Sequence, residues 1–323
     1  MISIVIPALN EQDAIVDTVT RITETMRKAQ LGPSEVVVVD DGSVDETGER
    51  ARAAGARVIR HPLAAGYGRA LKDGIRAALY ETVVISDADG TYPVEAIPAL
   101  VQRYQEGFDM VVGARTGQHY HESLLKMPLR WVLRLLVEFT AGCAVPDINS
   151  GLRVFRRSTV IGYYDHLCDT FSFTTSLTLA YLMTSRFVAY EPIDYHKRVG
   201  KSKVRLIGDS LKTIQYILEA AIYYNPLRIY LLMTALVGLG SLVSFGMALA
   251  TRLSVFFFVG VGGIVAATLI LSMGLLAVLL RQIMLKSSAA TNLADKLASP
   301  AQDVTTIDGA REGMIVGRRA SGG

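Results

Sequence analysis

Two apolar runs near the C-terminal end constrain this chain more than any other feature. Ile229 to Ala250 holds 22 residues without a charge, and Val255 to Leu280 holds 26. In hydrocarbon every backbone N–H and C=O must be satisfied within the segment, so runs of this length are expected to be helices that cross a bilayer core of roughly 30 Å. Thr251-Arg252-Leu253-Ser254 between them allows only a tight hairpin, so both outer ends are expected on one side. Arg228 precedes the first run, and Arg281 and Lys286 follow the second, whereas the hairpin carries only Arg252. Positive charge at the outer ends predicts a multi-pass protein of the cell (inner) membrane with both termini cytoplasmic. Gly238, Gly240, Gly260, Gly262 and Gly263 are expected to permit close helix contact, within a chain or between subunits of a homo-oligomer.

The hydrophobic fraction of 50% and the mean hydropathy of +0.33 owe their height to those runs. A net charge of +3 over 323 residues gives no bulk reason to bind nucleic acid. Cys143 and Cys168 are far apart, without C-x-x-C spacing, and are expected to be reduced, packed thiols. The chain opens on a strand, Ile2 to Ile6, so no cleaved signal peptide is expected.

The first 115 residues or so alternate short β-branched runs with amphipathic segments. Strands are expected at Ile2–Ile6, Glu35–Val39, Arg57–Arg60, Val83–Ser86 and Met110–Gly113. Helices are expected after Glu11, after Asp45-Glu46 and from Gly66. That order implies an α/β fold with a mostly parallel sheet covered on both faces, whose strand C-terminal edge binds ligands. The fourth strand ends in Asp87-Ala88-Asp89-Gly90. Two carboxylates one residue apart can hold a hard divalent cation with phosphate completing the shell, or simply form a solvated turn. A dinucleotide fingerprint is absent: Pro7-Ala8-Leu9-Asn10-Glu11 after the first strand lacks glycine, and Gly66/Gly68 is followed by Leu71 where the third glycine belongs. No Walker A loop occurs.

Ile6-Pro7-Ala8-Leu9-Asn10-Glu11, Val38-Val39-Asp40-Asp41-Gly42-Ser43 and Asp87-Ala88-Asp89, in that order at strand ends, resemble family 2 inverting glycosyltransferases of the GT-A fold. Within them the chain resembles the polyprenyl- or dolichyl-phosphate sugar transferases, from Met1 to about Lys203. The resemblance implies a nucleotide-sugar donor with Pro7, Leu9, Glu11, Val39 and Asp41 around base and ribose, and Asp40 as the alternative to Asp41. It implies Mg²⁺ or Mn²⁺ on Asp89 with Asp87 nearby and Ala88 between them, and Arg198 and Lys203 over the diphosphate. Thr91 stands where dolichyl-type relatives have Gln, which leaves a third protein ligand to the metal open. On the acceptor side it implies Arg115, with Arg130 as second choice, and the D-x-x-S-G-x-R segment Asp147–Arg153 with Asp147 and Ser150.

Three further stretches carry independent signals. Glu122 to Thr140 interleaves Leu and the single Trp131 with Lys126, Arg130 and Arg134, which predicts a helix on a membrane surface; the alternative is a core helix with a basic rim. Tyr195 to Lys203 places four cations around Gly200 and Ser202, as suits a loop closing over phosphates or one facing anionic lipid. His119-Tyr120-His121 has no third ligand close in sequence, so a zinc site is not expected.

The expected organisation is a catalytic domain over 1–205, a juxtamembrane amphipathic helix over 206–228, two transmembrane helices over 229–280 and a mostly disordered tail over 281–323. The expected reaction is metal-dependent inverting transfer of a sugar to a polyprenyl phosphate at the cytoplasmic face. Such a phosphate has its second pKa at about 6 and arrives largely ionised, so cations that position it matter more than a base. Transfer to a glycolipid hydroxyl is the alternative that would make Asp147 a true base; a catalytically silent membrane scaffold is the other. A sugar-1-phosphate nucleotidyltransferase would need a Gly-rich basic loop after the first strand, which is missing.

Overall fold

In the computed structural model, residues 1–116, 135–196 and 206–298 are described. The chain divides into two compact units, Met1–Ile229 and Tyr230–Gly323.

The first unit is built on a seven-stranded sheet: β1 (Ile2–Ala8), β2 (Ser34–Asp40), β3 (Arg57–Arg60), β4 (Thr82–Ile85), β5 (Met110–Thr116), β6 (Arg153–Arg156) and β7 (Val188–Asp194). The spatial order is β3-β2-β1-β4-β6-β5-β7. β1 to β4 run parallel, and β7 runs parallel to β5. The short β6 is inserted antiparallel between β4 and β5. The expectation of a mostly parallel α/β sheet therefore holds, with one reversed strand that the sequence pattern did not give away.

Alternation along the buried strands sends successive side chains to opposite faces. Ile4, Ile6, Val38, Val84, Val111 and Val154 pack on one face beneath α1 (Ile15–Ala29) and α4 (Ile97–Gln105). Val5, Val37, Val39, Ile85, Val112 and Phe155 pack on the other beneath α3 (Tyr67–Ala77) and α6 (Phe173–Met183). Burying one such side chain fully contributes roughly 1.5–3 kcal/mol. Gly74 lets α3 lie close, because a Cβ there would meet Val5 Cγ1 at 2.4 Å and Val39 Cγ2 at 2.8 Å. The short helices α2 (Thr47–Ala53) and α5 (Arg157–Ile161) follow β2 and β6.

This topology decides where function can sit. β1, β2, β4, β5 and β7 all deliver their C-terminal ends to one edge. Because β6 is reversed, its N-terminal end arrives there too: Arg153 pairs with Ile85 and with Val112. The 147–152 loop before it is thus brought to the strand ends that carry Asp87 and Arg115.

A smaller cluster, Val137, Val145, Leu179 and Ile217, joins a helical stretch over 135–141 to α6 and to α7 (Leu206–Tyr224). The stretch ends at Gly142 (φ 75°), and Arg228 donates from Nη1 to the carbonyls of Phe139 and Thr140 at 3.2 and 3.1 Å. A cation on the last carbonyls of a helix is favourable by charge as well as by hydrogen bonding. Residues 122–134 of the expected surface helix, Arg130 among them, lie outside the described residues. So do His119 and His121.

α8 (Pro226–Thr251) and α9 (Ser254–Ala298) follow. Their candidate spans, Pro226–Thr251 and Ser254–Met284, have mean hydropathy 1.9 and 2.5 and are long and apolar enough to cross a membrane. The first span starts at Pro226, ahead of the expected Ile229: proline has no N–H to continue α7 and fits the first turn of a new helix. Helix also continues past Leu280 to Ala298, where a disordered tail was expected from 281. Ala289, Ala290, Leu293, Ala294, Lys296 and Leu297 are strong helix formers that carry it on. Within the second unit Gly260 and Gly263 face α8, where an added Cβ would meet the Phe245 ring at 2.9 Å and Ser241 Oγ at 2.0 Å. Gly238, Gly240 and Gly262 have open space around them and take no part in that contact. Cys143 is exposed, not packed as expected, since it lies just beyond the 135–141 stretch; Cys168 is buried.

Candidate active site

The first two strand ends are stitched together by their own loops. Asn10 takes a positive φ of 49°, which asparagine tolerates. Its N–H donates to Ser43 Oγ at 2.9 Å, and its Oδ1 accepts from Val44 N–H at 2.9 Å. Glu11 N–H donates to Thr47 Oγ1 at 2.8 Å. Pro7 and Val39 are neighbours in register, both buried. Val39 packs its side chain against Gly74 in the core, so only its main chain reaches the edge.

Asp40 and Asp41 separate cleanly. Asp40 turns back: Oδ1 accepts from Ser43 N–H at 2.9 Å, and Oδ2 lies where a Cβ on Gly48 would stand 2.5 Å away, with Arg60 Nε at 3.6 Å. It braces the turn and the start of α2. Asp41 turns outward to the start of α3, accepting from Ala65 N–H at 2.9 Å and Gly66 N–H at 2.8 Å, with His61 Nδ1 at 2.7 Å. Both carboxylates are buried, Asp40 in its own turn and Asp41 against the loop that leads into α3.

At the end of β4, Asp87 Oδ1 accepts from the Tyr67 hydroxyl at 2.8 Å. Burial first, and the adjacent Asp87 charge next, raise the Tyr67 pKa well above the usual tyrosine value, so this hydroxyl stays a donor. Asp89 is 5% exposed; its Oδ1 accepts from Thr91 N–H at 3.1 Å and from Thr91 Oγ1 at 2.6 Å. Gly90 between them takes φ 71°. Thr91 therefore holds the second carboxylate in place from below. Among the described residues no group of three or more His, Cys, Asp or Glu forms a metal site. The hard carboxylate oxygens of Asp87 and Asp89 suit a Mg²⁺-like ion that takes one or two carboxylates and fills the rest of its shell with phosphate and water.

Arg115, at the end of β5, grips Asp147 across the reversed strand. Nε donates to Oδ2 at 2.8 Å, Nη2 to Oδ1 at 2.9 Å, and the Arg115 backbone N–H to Oδ2 at 3.0 Å. Asn149 N–H adds a further bond to Oδ1 at 3.1 Å. Burial alone would raise the Asp147 pKa, but Arg115 and these N–H groups outweigh it and hold the carboxyl below its usual value. The guanidinium carbon of Arg115 lies 5.4 Å from the Tyr195 ring centroid.

Ser150 is not at an acceptor surface. It is fully buried, donates its hydroxyl to Gly113 O at 2.6 Å and accepts from Leu152 N–H at 3.3 Å, so its work is to join the 147–152 loop to β5. Arg153, likewise fully buried, donates to Ser150 O and Ile148 O at 2.7 Å each and to Thr178 Oγ1 at 2.6 Å. Sequence reading gave no role to Tyr67 or Arg153, and named Thr91 only as the residue in the place of a possible third metal ligand. The Gly66-Tyr67-Gly68 run signalled only a helix start, and the arginine of the D-x-x-S-G-x-R segment was the one clue to Arg153. β7 ends at the same edge, where His196 N–H donates to Thr91 O at 2.9 Å. Arg198 and Lys203 lie outside the described residues.

Residues 3–162 match the sequence profile of Glycosyl transferase family 2. The unit Met1–Ile229 belongs to that family. The chain is a glycosyltransferase. It is similar to the undecaprenyl-phosphate 4-deoxy-4-formamido-L-arabinose transferase of Salmonella choleraesuis (strain SC-B67), 28% identical over 249 residues that span 74% of this chain and 72% of the relative. Among solved structures, this glycosyltransferase is similar to glucosyl-3-phosphoglycerate synthase of Mycobacterium tuberculosis in complex with Mg²⁺ and UDP: TM-score 0.56, 26% identity, 68% of this chain and 79% of that one. The same synthase with Mn²⁺, UDP-glucose and phosphoglyceric acid gives TM-score 0.55 and 25% identity over 68% of this chain and 79% of its own.

Proposed function

We propose that the protein transfers a sugar, with inversion, from a nucleoside diphosphate sugar to a polyprenyl phosphate at a membrane surface. The observation that carries this reading is the pair Asp87 and Asp89 at the end of β4, where the parallel half of the sheet meets the reversed β6. The strand order also reverses between β1 and β4, and strand ends at such a switch are where α/β folds bind ligands. Asp41 and the main chain of Pro7, Leu9 and Val39 line the donor end, with Glu11 beside them. Asp87 and Asp89 would hold Mg²⁺ or Mn²⁺, which supplies positive charge to the leaving diphosphate. Arg198 and Lys203 are assigned to the diphosphate by sequence. The relatives support both substrates: an undecaprenyl-phosphate transferase on the acceptor side, and a UDP- and Mn²⁺-binding synthase on the donor side.

Arg115 is the acceptor-side cation, with Arg130 as a second assigned by sequence. A guanidinium has five N–H donors in a planar fork, and Asp147 takes two of them. Asp147 fixes the plane of that fork, which is what in-line attack by an ionised phosphate oxygen needs. Its depressed pKa makes it a poor acceptor of a proton from a hydroxyl, which speaks for the phosphate acceptor. The two apolar helices support action at a membrane, with catalytic unit and both ends on the cytoplasmic side of a multi-pass protein.

The test is mass spectrometry of products from a panel of UDP- and GDP-sugars offered with undecaprenyl phosphate and with a neutral glycolipid. A sugar-phosphate-prenyl product is expected. Product on the glycolipid alone would establish the hydroxyl reading, and no turnover of any donor would favour the scaffold.

A further inference from the structure

The start of α3 reaches two separate carboxylates. The N–H groups of Ala65 and Gly66 hold Asp41, and one residue later the Tyr67 hydroxyl holds Asp87 at 2.8 Å. These carboxylates end β2 and β4, which lie on either side of β1.

The helix start is itself anchored. Arg69 N–H donates to Asp169 O at 3.0 Å, and Lys72 Nζ reaches Leu167 O and Asp169 Oδ1 at 2.6 Å each. The contact has no room for side chains: a Cβ on Gly66 would stand 2.7 Å from Asp169 O, and one on Gly68 2.3 Å from Cys168 O. The Tyr67 ring packs against Phe171, centroids 5.9 Å apart. From the opposite side, Gly151 closes on Asp87, since a Cβ there would lie 2.9 Å from both carboxylate oxygens. Asp87 is thus held between a donated hydroxyl and a glycine of the loop that carries Asp147.

We propose that Tyr67 is a positioning residue: its hydroxyl fixes the orientation of the Asp87 carboxylate toward the cation of the donor diphosphate, while the same helix start fixes Asp41. The inference rests on the donor-site reading above. Tyr67 touches neither sugar nor phosphate; it acts through Asp87. A cation bound by only one or two protein carboxylates is sensitive to the hydrogen bonds that orient them, and loss of such a partner commonly weakens metal affinity ten- to a hundredfold.

Tyr67→Phe tests this, because it removes one oxygen and keeps the ring on Phe171. The readout is calorimetric binding of UDP, or of GDP if that binds tighter, to the full chain in detergent, without metal and across a Mn²⁺ series. The expected result is a five- to tenfold rise in the Mn²⁺ concentration for half-saturation, with metal-free nucleotide affinity within twofold of wild type. In an Asp87→Asn background, Tyr67→Phe should add less than twofold, since coupled residues are not additive. An unchanged Mn²⁺ midpoint, an equal loss with and without metal, or full additivity with Asp87→Asn would overturn the assignment. Wild-type protein that binds neither nucleotide with Mn²⁺ would instead overturn the donor reading and the inference with it.

Discussion

Arg115 and Asp147 meet as a planar fork, two side-chain bonds of 2.8 and 2.9 Å reinforced by the Arg115 N–H at 3.0 Å. Asp147 is buried and its pKa is depressed, so it is ionised in the native state across the neutral range. The sign follows from linkage. Its contribution to stability is fully present above the unfolded value of about 3.9 and is lost as pH falls through the lower folded value. Transfer should therefore show no acid limb near pH 6–7 that disappears in Asp147→Asn. A pH profile of kcat/KM for wild type and variant checks this; such a limb would restore Asp147 as a base.

On the proposed reading the same pair governs the acceptor kinetics. Arg115→Ala removes charge-assisted hydrogen bonds, each worth roughly 1.5–3 kcal/mol. The expected loss is about ten- to a hundredfold in acceptor kcat/KM. Asp147→Asn should cost less, because it loosens the fork without removing the cation. Steady-state kinetics at fixed donor measure both, and near-normal Arg115→Ala with a dead Asp147→Asn would reject the phosphate acceptor.

Asp89→Ala should abolish transfer while the thermal melt stays close to wild type, and full activity in EDTA would refute a metal-assisted step. Thr91→Val is the finer probe. It removes the 2.6 Å hydroxyl bond to Asp89 Oδ1 and leaves the N–H bond of 3.1 Å. We expect about a three- to tenfold higher metal requirement with little change at saturating Mn²⁺, read from activity against metal concentration.

Arg153→Met should be a stability variant. It would leave the carbonyls of Ile148 and Ser150 without their buried donor. Each unsatisfied buried group costs about 1–3 kcal/mol, so a loss of about 2–6 kcal/mol is expected for the two, seen as a lower melting temperature in detergent. Rescue of the melt by Arg153→Lys should be partial, since one ammonium does not reproduce a fork.

The strand ends were legible because each joins an apolar run to a polar stop: Val37–Val39 into Asp40-Asp41, Val83–Ile85 into Asp87. The direction of β6 was not, because it is set by partners far off in sequence. That single reversal explains the misreading of Ser150. The family resemblance set Ser150 on the acceptor side, yet pairing Arg153 with Ile85 and Val112 draws Ser150 under β5. Tyr67 was hidden for the same reason: its partner lies 20 residues on, at a different strand end. The extension of α9 past Leu280 was a matter of composition, where polar residues masked a helix-forming Ala/Leu pattern.

Membrane orientation gives the last prediction. Arg228 is bound to the carbonyls of Phe139 and Thr140 in the first unit, so the entry to α8 stays with that unit. Two crossings, Pro226–Thr251 and Ser254–Met284, would return the chain to the side it left. Only Arg252 lies in the connection, at φ 57°, whereas Arg228, Arg281 and Lys286 flank the outer ends. Short-loop positive charge favours the cytoplasm, so the outer ends are expected there and the hairpin tip on the far side. Reporter fusions before Arg228 and after Lys286 should both report cytoplasm, and an insertion at Arg252 the opposite compartment. Replacing Arg281 and Lys286 with Gln while adding three lysines beside Arg252 should weaken or invert that pattern. A cytoplasmic signal at Arg252 in the wild-type chain would mean that the two helices do not both span, and the catalytic unit would then have to meet its lipid by a different anchor.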